Sequence, residues 1–139
     1  MIDNAKHPNS AARNLAVQFL YQCECEKLFY FSDSHYDYFA DSFEIDQKIR
    51  HQVKSFVSGT LDNLNGIDSS VSKVSENWSL ERMPTTDRCV IRLATFEMFH
   101  TKTPKKVILD EAIELAKLYG TKSSGSFVNG VLDKLTLPN

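Results

Sequence analysis

A chain of 139 residues is one domain's worth, enough to bury roughly 70% of the surface its unfolded form exposes. Apolar residues make up 42% and charged residues 24%, a globular composition; no apolar run nears the ~20 residues that span a bilayer, and "MIDNAKHPNS" lacks the apolar core of a secretory signal, so a cytoplasmic address is expected. A net charge of -2 excludes a chain that attracts nucleic acid by bulk charge, because nonspecific binding rests on many phosphate contacts.

In chain order, Ala12, Leu15, Ala16, Phe19, Leu20 and Cys23 fall three or four apart behind Ser10, which predicts an amphipathic helix with Ser10 as N-cap. "KLFYFSDSHYDYFADSF" is aromatic-rich; its alternation at Phe29 and Phe31, then Tyr36 and Tyr38, suits a small hairpin, but a loop or short helical turn over the core is simpler. Ile45, Ile49, Val53, Phe56, Val57, Thr60, Leu61 and Leu64 mark one face of a long core helix that Asn65-Gly66 should break. Asp68 or Ser69 can cap the next helix, with an apolar stripe at Ile67, Val71, Val74 and Trp78.

Met83-Pro84 stops the chain, and Thr85 or Thr86 can cap a helix that is apolar on nearly all sides (Val90, Ile91, Leu93, Ala94, Phe96, Met98, Phe99), as suits the central helix. "TKTPKK" is a turn. In "VILDEAIELAKLYG", Asp110 and Glu111 near the start, Lys117 near the end and Gly120 as C-cap fit a helix and its dipole. The last helix is expected from about Ser126, burying Val128, Val131, Leu132 and Leu135, with Asn129 in a buried hydrogen bond in preference to an RNA contact, and Gly130 admitting a neighbouring helix. Six or seven helices without a convincing strand predict an all-α fold. The break at Pro84 suggests two subbundles, about residues 10–82 and 84–136, in a single domain.

Catalytic chemistry needs converging reactive groups, and the sequence offers none. The five glycines form no phosphate-cradling loop. Asp110, Glu111 and Glu114 read as helix-dipole partners, and Ser123, Ser124 and Ser126 have no base nearby in sequence. Cys23, Cys25 and Cys89 form no CxxC pair, and the four histidines lie far apart, so neither metal nor cofactor is expected. An adaptor that binds rather than reacts is the better reading. Arg88 and Arg92, then Lys102, Lys105, Lys106, Lys117 and Lys122, form either a modest basic surface or ordinary solvated helix faces.

"VIRLATFEM", followed by "DEAIELAKLYG" and "FVNGVLDKL", resembles the NusB family of transcription antitermination factors, and "ARNLAVQFLYQ" is similar to that family's opening motif. The resemblance implies two three-helix bundles and no catalysis. It implies binding of boxA-type single-stranded RNA together with the ribosomal protein NusE, acting with other Nus factors on RNA polymerase during ribosomal RNA transcription. Carried over by position, it implies that Arg13 contacts phosphate and that Gln18, Tyr21 and Arg92 lie on the RNA face. Phe127 would stack on a base, with Ser123, Ser124 and Ser126 donating beside it, while Glu81, Asp87 and Arg88 would receive the protein partner.

Where the family commonly carries a run of arginines before Arg13, this chain has Asn9, Ser10 and Ala11, with Lys6 and His7 upstream. Each lost phosphate contact to a single strand flattens the salt slope by about 0.7. Two alternatives therefore stand beside the RNA-binding adaptor: a paralogue that binds protein only, and a detached RNA-targeting domain like that of ribosomal RNA 5-methylcytosine methyltransferases.

Overall fold

The computed structural model describes residues 7–75 and 78–135; Lys6 lies outside them. Their regular structure is helical throughout: α1 (Ser10–Glu26), α2 (Asp33–Ser42), α3 (Gln47–Asp62), α4 (Leu64–Val74), a single 3-10 turn (Leu80–Arg82), α5 (Thr85–His100), α6 (Lys105–Tyr119) and α7 (Ser124–Asp133). α1 packs on α3, and α6 on α7, while α5 packs on α1, α3, α4, α6 and α7. The expectation of a central helix apolar on nearly all sides is met in α5, where Cys89, Val90, Ile91, Leu93, Ala94, Phe96 and Met98 are all buried.

Several element boundaries differ from those expected, each for a local reason. The aromatic segment contains a ten-residue helix, α2, rather than a loop or short turn. Ser32 caps it by accepting the His35 N–H, and Tyr36, Phe39 and Ala40 are buried, with Phe19 edge-on to both rings. The break after α3 falls at Asn63, not at Asn65-Gly66. The Asn63 amide donates to the Gly59 carbonyl at 2.8 Å, and Asn65 and Gly66 lie inside α4, where Ile67 faces the core. Neither Asp68 nor Ser69 caps α4, since both lie within it.

Asn9, in the left-handed region at φ 70, is the N-cap of α1, and Ser10 is already helical. Pro84 takes the cap position before Thr85 and Thr86, and α7 begins at Ser124, two residues earlier than expected.

Two glycines stand where a side chain would collide. A Cβ on Gly59 would lie 2.2 Å from the Phe96 ring, so this glycine is where α3 closes on α5. A Cβ on Gly120, the C-cap of α6, would lie 2.2 Å from the Ser124 hydroxyl. Gly130 has open space around it and is exposed, so the close approach expected there occurs at Gly59 instead. Asn129 is likewise exposed rather than buried in a hydrogen bond, because it lies opposite the Val128, Val131 and Leu132 face.

All three cysteines are free thiols. Cys23 and Cys89 are buried and Cys25 is exposed. Burial pushes both buried thiols up to about 12, helped by the nearby Glu26 and Glu24 charges at Cys23 and by Glu24 at Cys89.

Candidate nucleic-acid and partner interface

The arginines implied as ligand contacts are committed inside the fold. Arg13 on α1 is 3% exposed. Its Nε and Nη2 donate to the two Glu97 oxygens at 2.7 and 2.8 Å, and Nη1 donates to Glu111 at 3.2 Å and to the Pro8 carbonyl at 2.9 Å. Ser10 completes this cluster by donating to Glu111 at 2.5 Å. Desolvation opposes the Arg13 charge, yet hydrogen bonding and attraction from Glu97 and Glu111 outweigh it and raise the pKa. The implied phosphate contact by Arg13 is therefore corrected: a buried guanidinium paired with two carboxylates has nothing to offer a phosphate. Glu111 is corrected with it, from a helix-dipole partner to one half of a bridge between α1 and α6.

A second network surrounds Glu24. Arg88 donates to both its oxygens at 2.7 and 2.9 Å and to the carbonyls of Leu80 and Met83; Arg92 donates to Glu24 at 2.6 Å and, through a fork of two 2.9 Å bonds, to Asp68. Burial pushes the Glu24 carboxyl up, but Arg88 and then Arg92 overcome it and hold it below the usual range. Charge-assisted forks of this kind are geometrically specific. They lock α4, α5 and the 3-10 turn onto α1, so Arg88 and Arg92 hold the frame together.

The remaining candidates fall into two surface groups. Gln18 and Tyr21 line a groove of about 480 Å³ with Phe43, Thr86 and Tyr119; Tyr21 is 42% exposed, and Gln18 is held by Asn14 and the Tyr119 hydroxyl. Asp87, expected on the partner surface, is 2% exposed, while Glu81 is exposed. Burial pushes the Asp87 carboxyl up, and the Ser124 hydroxyl partly offsets this.

The second group is built on α7. Ser123 and Ser126 are exposed. Ser124 is buried and accepts the Thr121 N–H at 2.9 Å, a role in the turn rather than on the surface. Phe127 is half-buried against the core. It meets Trp78 edge-on at 5.8 Å, and the two rings line a groove of about 220 Å³ with Ser126, Gly130 and Lys134. Trp78 is 43% exposed, with the Arg82 guanidinium 5.2 Å above its ring.

The sequence reading missed Trp78 because its spacing from Ile67, Val71 and Val74 fits a buried stripe. α4 ends before it, where the Ser75 hydroxyl bonds back to the Val71 carbonyl. An aromatic four residues ahead of a basic one in a short interhelical segment, Trp78 and Arg82, was the available signal.

The described residues form an all-helical scaffold with an edge-on aromatic pair in a surface groove, and no His/Cys/Asp/Glu cluster fit for a metal lies among them. Residues 10–136 match the NusB family. The chain is 42% identical over 127 residues to the transcription antitermination protein NusB of Anaeromyxobacter dehalogenans, covering 89% of this chain and 87% of that protein. It is 46% identical over 90 residues to the NusB of Thermotoga maritima, covering 64% and 63%. The solved structure of T. maritima NusB superposes with a TM-score of 0.80 at 37% identity, covering 93% of this chain and 90% of that one. A crystal structure of antitermination factors NusB and NusE in complex with dsRNA shares the fold at a TM-score of 0.79 and 23% identity, covering 90% and 92%. The chain belongs to the NusB family.

Proposed function

We propose that this chain is a cytoplasmic, non-catalytic adaptor of transcription antitermination. It binds boxA-type single-stranded RNA together with the ribosomal protein NusE, and so modifies RNA polymerase during ribosomal RNA transcription. Family membership supports the antitermination role. The observation that carries the RNA reading is the Trp78–Phe127 pair, two aromatic rings at the surface with Arg82 and Lys134 beside them. A base stacked on such a platform contributes about 1–3 kcal/mol, and single-stranded RNA is recognised largely by unstacked bases of this kind. Ser123 and Ser126 supply hydroxyl donors at the same edge. The Tyr21 and Phe43 groove, with Glu81 and the neighbouring α5 surface, is the candidate seat of the protein partner.

The test is a titration of fluorescent boxA RNA against the chain, with and without NusE, at two salt concentrations. The complex should bind boxA more tightly than either protein alone, with a shallow salt slope because few free cations face the groove. Equal affinity for boxA and a scrambled RNA would sink the reading. A protein-only role is the second reading, favoured by the burial of Arg13 and the pairing of Arg92. It predicts NusE binding that survives Trp78→Ala and Phe127→Ala, and no RNA binding near physiological salt.

A further inference from the structure

Of the five arginines in the sequence, four are committed to carboxylates: Arg13 to Glu97 and Glu111, Arg50 to Asp41, Arg88 to Glu24, and Arg92 to Glu24 and Asp68. Arg82 is the exception. It is exposed, forms no ion pair with a carboxylate among the described residues, and places its guanidinium 5.2 Å from the centre of the Trp78 ring.

The backbone that carries Arg82 is firmly seated. Leu80 and Met83, on either side of it, are buried, and their carbonyls accept Arg88 Nη1 at 2.8 and 3.1 Å. The Arg82 N–H donates to the Ser79 carbonyl at 3.0 Å, and Arg88 is itself forked onto Glu24 of α1. The 3-10 turn is thus a fixed base, from which the Arg82 side chain reaches back over the indole. Trp78 meets Phe127 edge-on, and both rings line the groove that Lys134 also lines. Lys105, which reaches the same end of α7, is occupied: its Nζ donates to the Asp133 and Leu135 carbonyls at 3.3 and 3.0 Å.

A guanidinium has N–H donors around its plane and no acceptor. One that lies over a ring without a carboxylate partner keeps those donors for an anion from outside. Arginine suits a phosphate in particular, because it can offer two parallel N–H bonds to its oxygens.

We propose that Arg82 is the phosphate ligand of this groove: Trp78 holds its guanidinium, which grips a backbone phosphate of single-stranded RNA beside the base stacked at Phe127. The inference rests on the RNA-binding reading and gives it the free arginine that the buried Arg13 does not supply. It also divides the work at the site. Phe127 supplies stacking, while Arg82 supplies a contact that releases counterions and so weakens as salt rises.

Trp78 is the sole tryptophan of the chain, so its emission reports on this site without a label. The experiment titrates wild type, Arg82→Gln, Arg82→Lys and Phe127→Ala with end-labelled boxA RNA and with a scrambled RNA of equal length, at several salt concentrations. RNA anisotropy and Trp78 emission are both followed. Arg82→Gln should flatten the slope of log K against log salt by about 0.7, the share of one phosphate on a single strand. It should weaken low-salt binding about two- to fivefold, the scale of an exposed ion pair. Arg82→Lys keeps the charge and should keep the slope; Phe127→Ala should bind more weakly at every salt with the slope of wild type. The unfolding midpoint of Arg82→Gln should stay close to that of wild type, since no internal ion pair is lost.

A wild-type slope in Arg82→Gln, an equally flattened one in Arg82→Lys, or RNA binding that leaves Trp78 emission unchanged overturns the proposal and leaves the RNA reading standing. An early-melting Arg82→Gln also overturns it, by making Arg82 part of the frame. Equal affinity for the two RNAs with the slope change present overturns the boxA reading and supports Arg82 as a phosphate ligand. No binding of either RNA to wild type overturns both.

Discussion

Arg13, Arg88 and Arg92 point in, while the groove aromatics Trp78 and Phe127 stay partly uncovered, which reverses the usual expectation for a nucleic-acid binder. At Arg13, Arg88 and Arg92 each guanidinium is spent on Glu97, Glu111, Glu24 or Asp68, and the carboxylates come from helices far away in sequence. At Trp78 and Phe127 the rings stay at the surface, with a cation over one of them. A charge whose partners are all internal sets the angles between helices. An aromatic left half-covered is available to another molecule. Residue type alone therefore misassigns the two groups, and the number of partners each side chain has inside the fold assigns them.

The sharpest way to break this contrast is Arg13→Ala. Leaving Glu97 and Glu111 buried and unpaired should cost about 3–5 kcal/mol, read as a lower urea midpoint; a neutral effect would put Arg13 back among the surface cations.

Acid should act through the other network. The folded pKa of Glu24 lies below its unfolded value, so its contribution to stability is complete above the ordinary carboxylate range and is lost as pH falls through the folded value. The drop in melting temperature between neutral pH and about pH 3, below the unfolded value near 4.3, should be smaller in Glu24→Gln than in wild type.

Gly59→Ala should then cost about 1–3 kcal/mol, because its Cβ overpacks against Phe96. Phe127→Ala should weaken boxA binding by about 1–3 kcal/mol, and Trp78→Ala should do the same; a variant that melts early yet binds RNA normally would move Phe127 from the surface group into the core. The smallest effect is a gain. Gly130→Ala, in open space within α7, should stabilise the chain by up to about 1 kcal/mol in thermal melts.

Much of the fold is legible because helical periodicity is local information. The run from Val90 to Phe99, apolar on nearly all sides, announces a central helix, and α5 is one. Boundaries are less legible where a side chain competes with the backbone ladder. Asn63 ends α3 by bonding to Gly59, while Asn65-Gly66, the stronger turn signal, is absorbed into α4 by the burial of Ile67. The candidate site is legible at Phe127, Ser123 and Ser126, where motif and surface coincide. It is not legible at Arg13, because Glu97 and Glu111 lie 84 and 98 residues away, nor at Trp78, whose spacing imitates a core stripe.

The cysteines have a practical consequence. Cys23 and Cys89 are buried and hold their protons to about 12, so neither presents a thiolate at neutral pH. To an electrophile the molecule is therefore a one-thiol protein. Cys25 lies on the wall of the groove shared by Tyr21 and Phe43, so an environment-sensitive dye there, introduced without any mutation, would report what docks beside α1 while leaving the Trp78–Phe127 groove unlabelled.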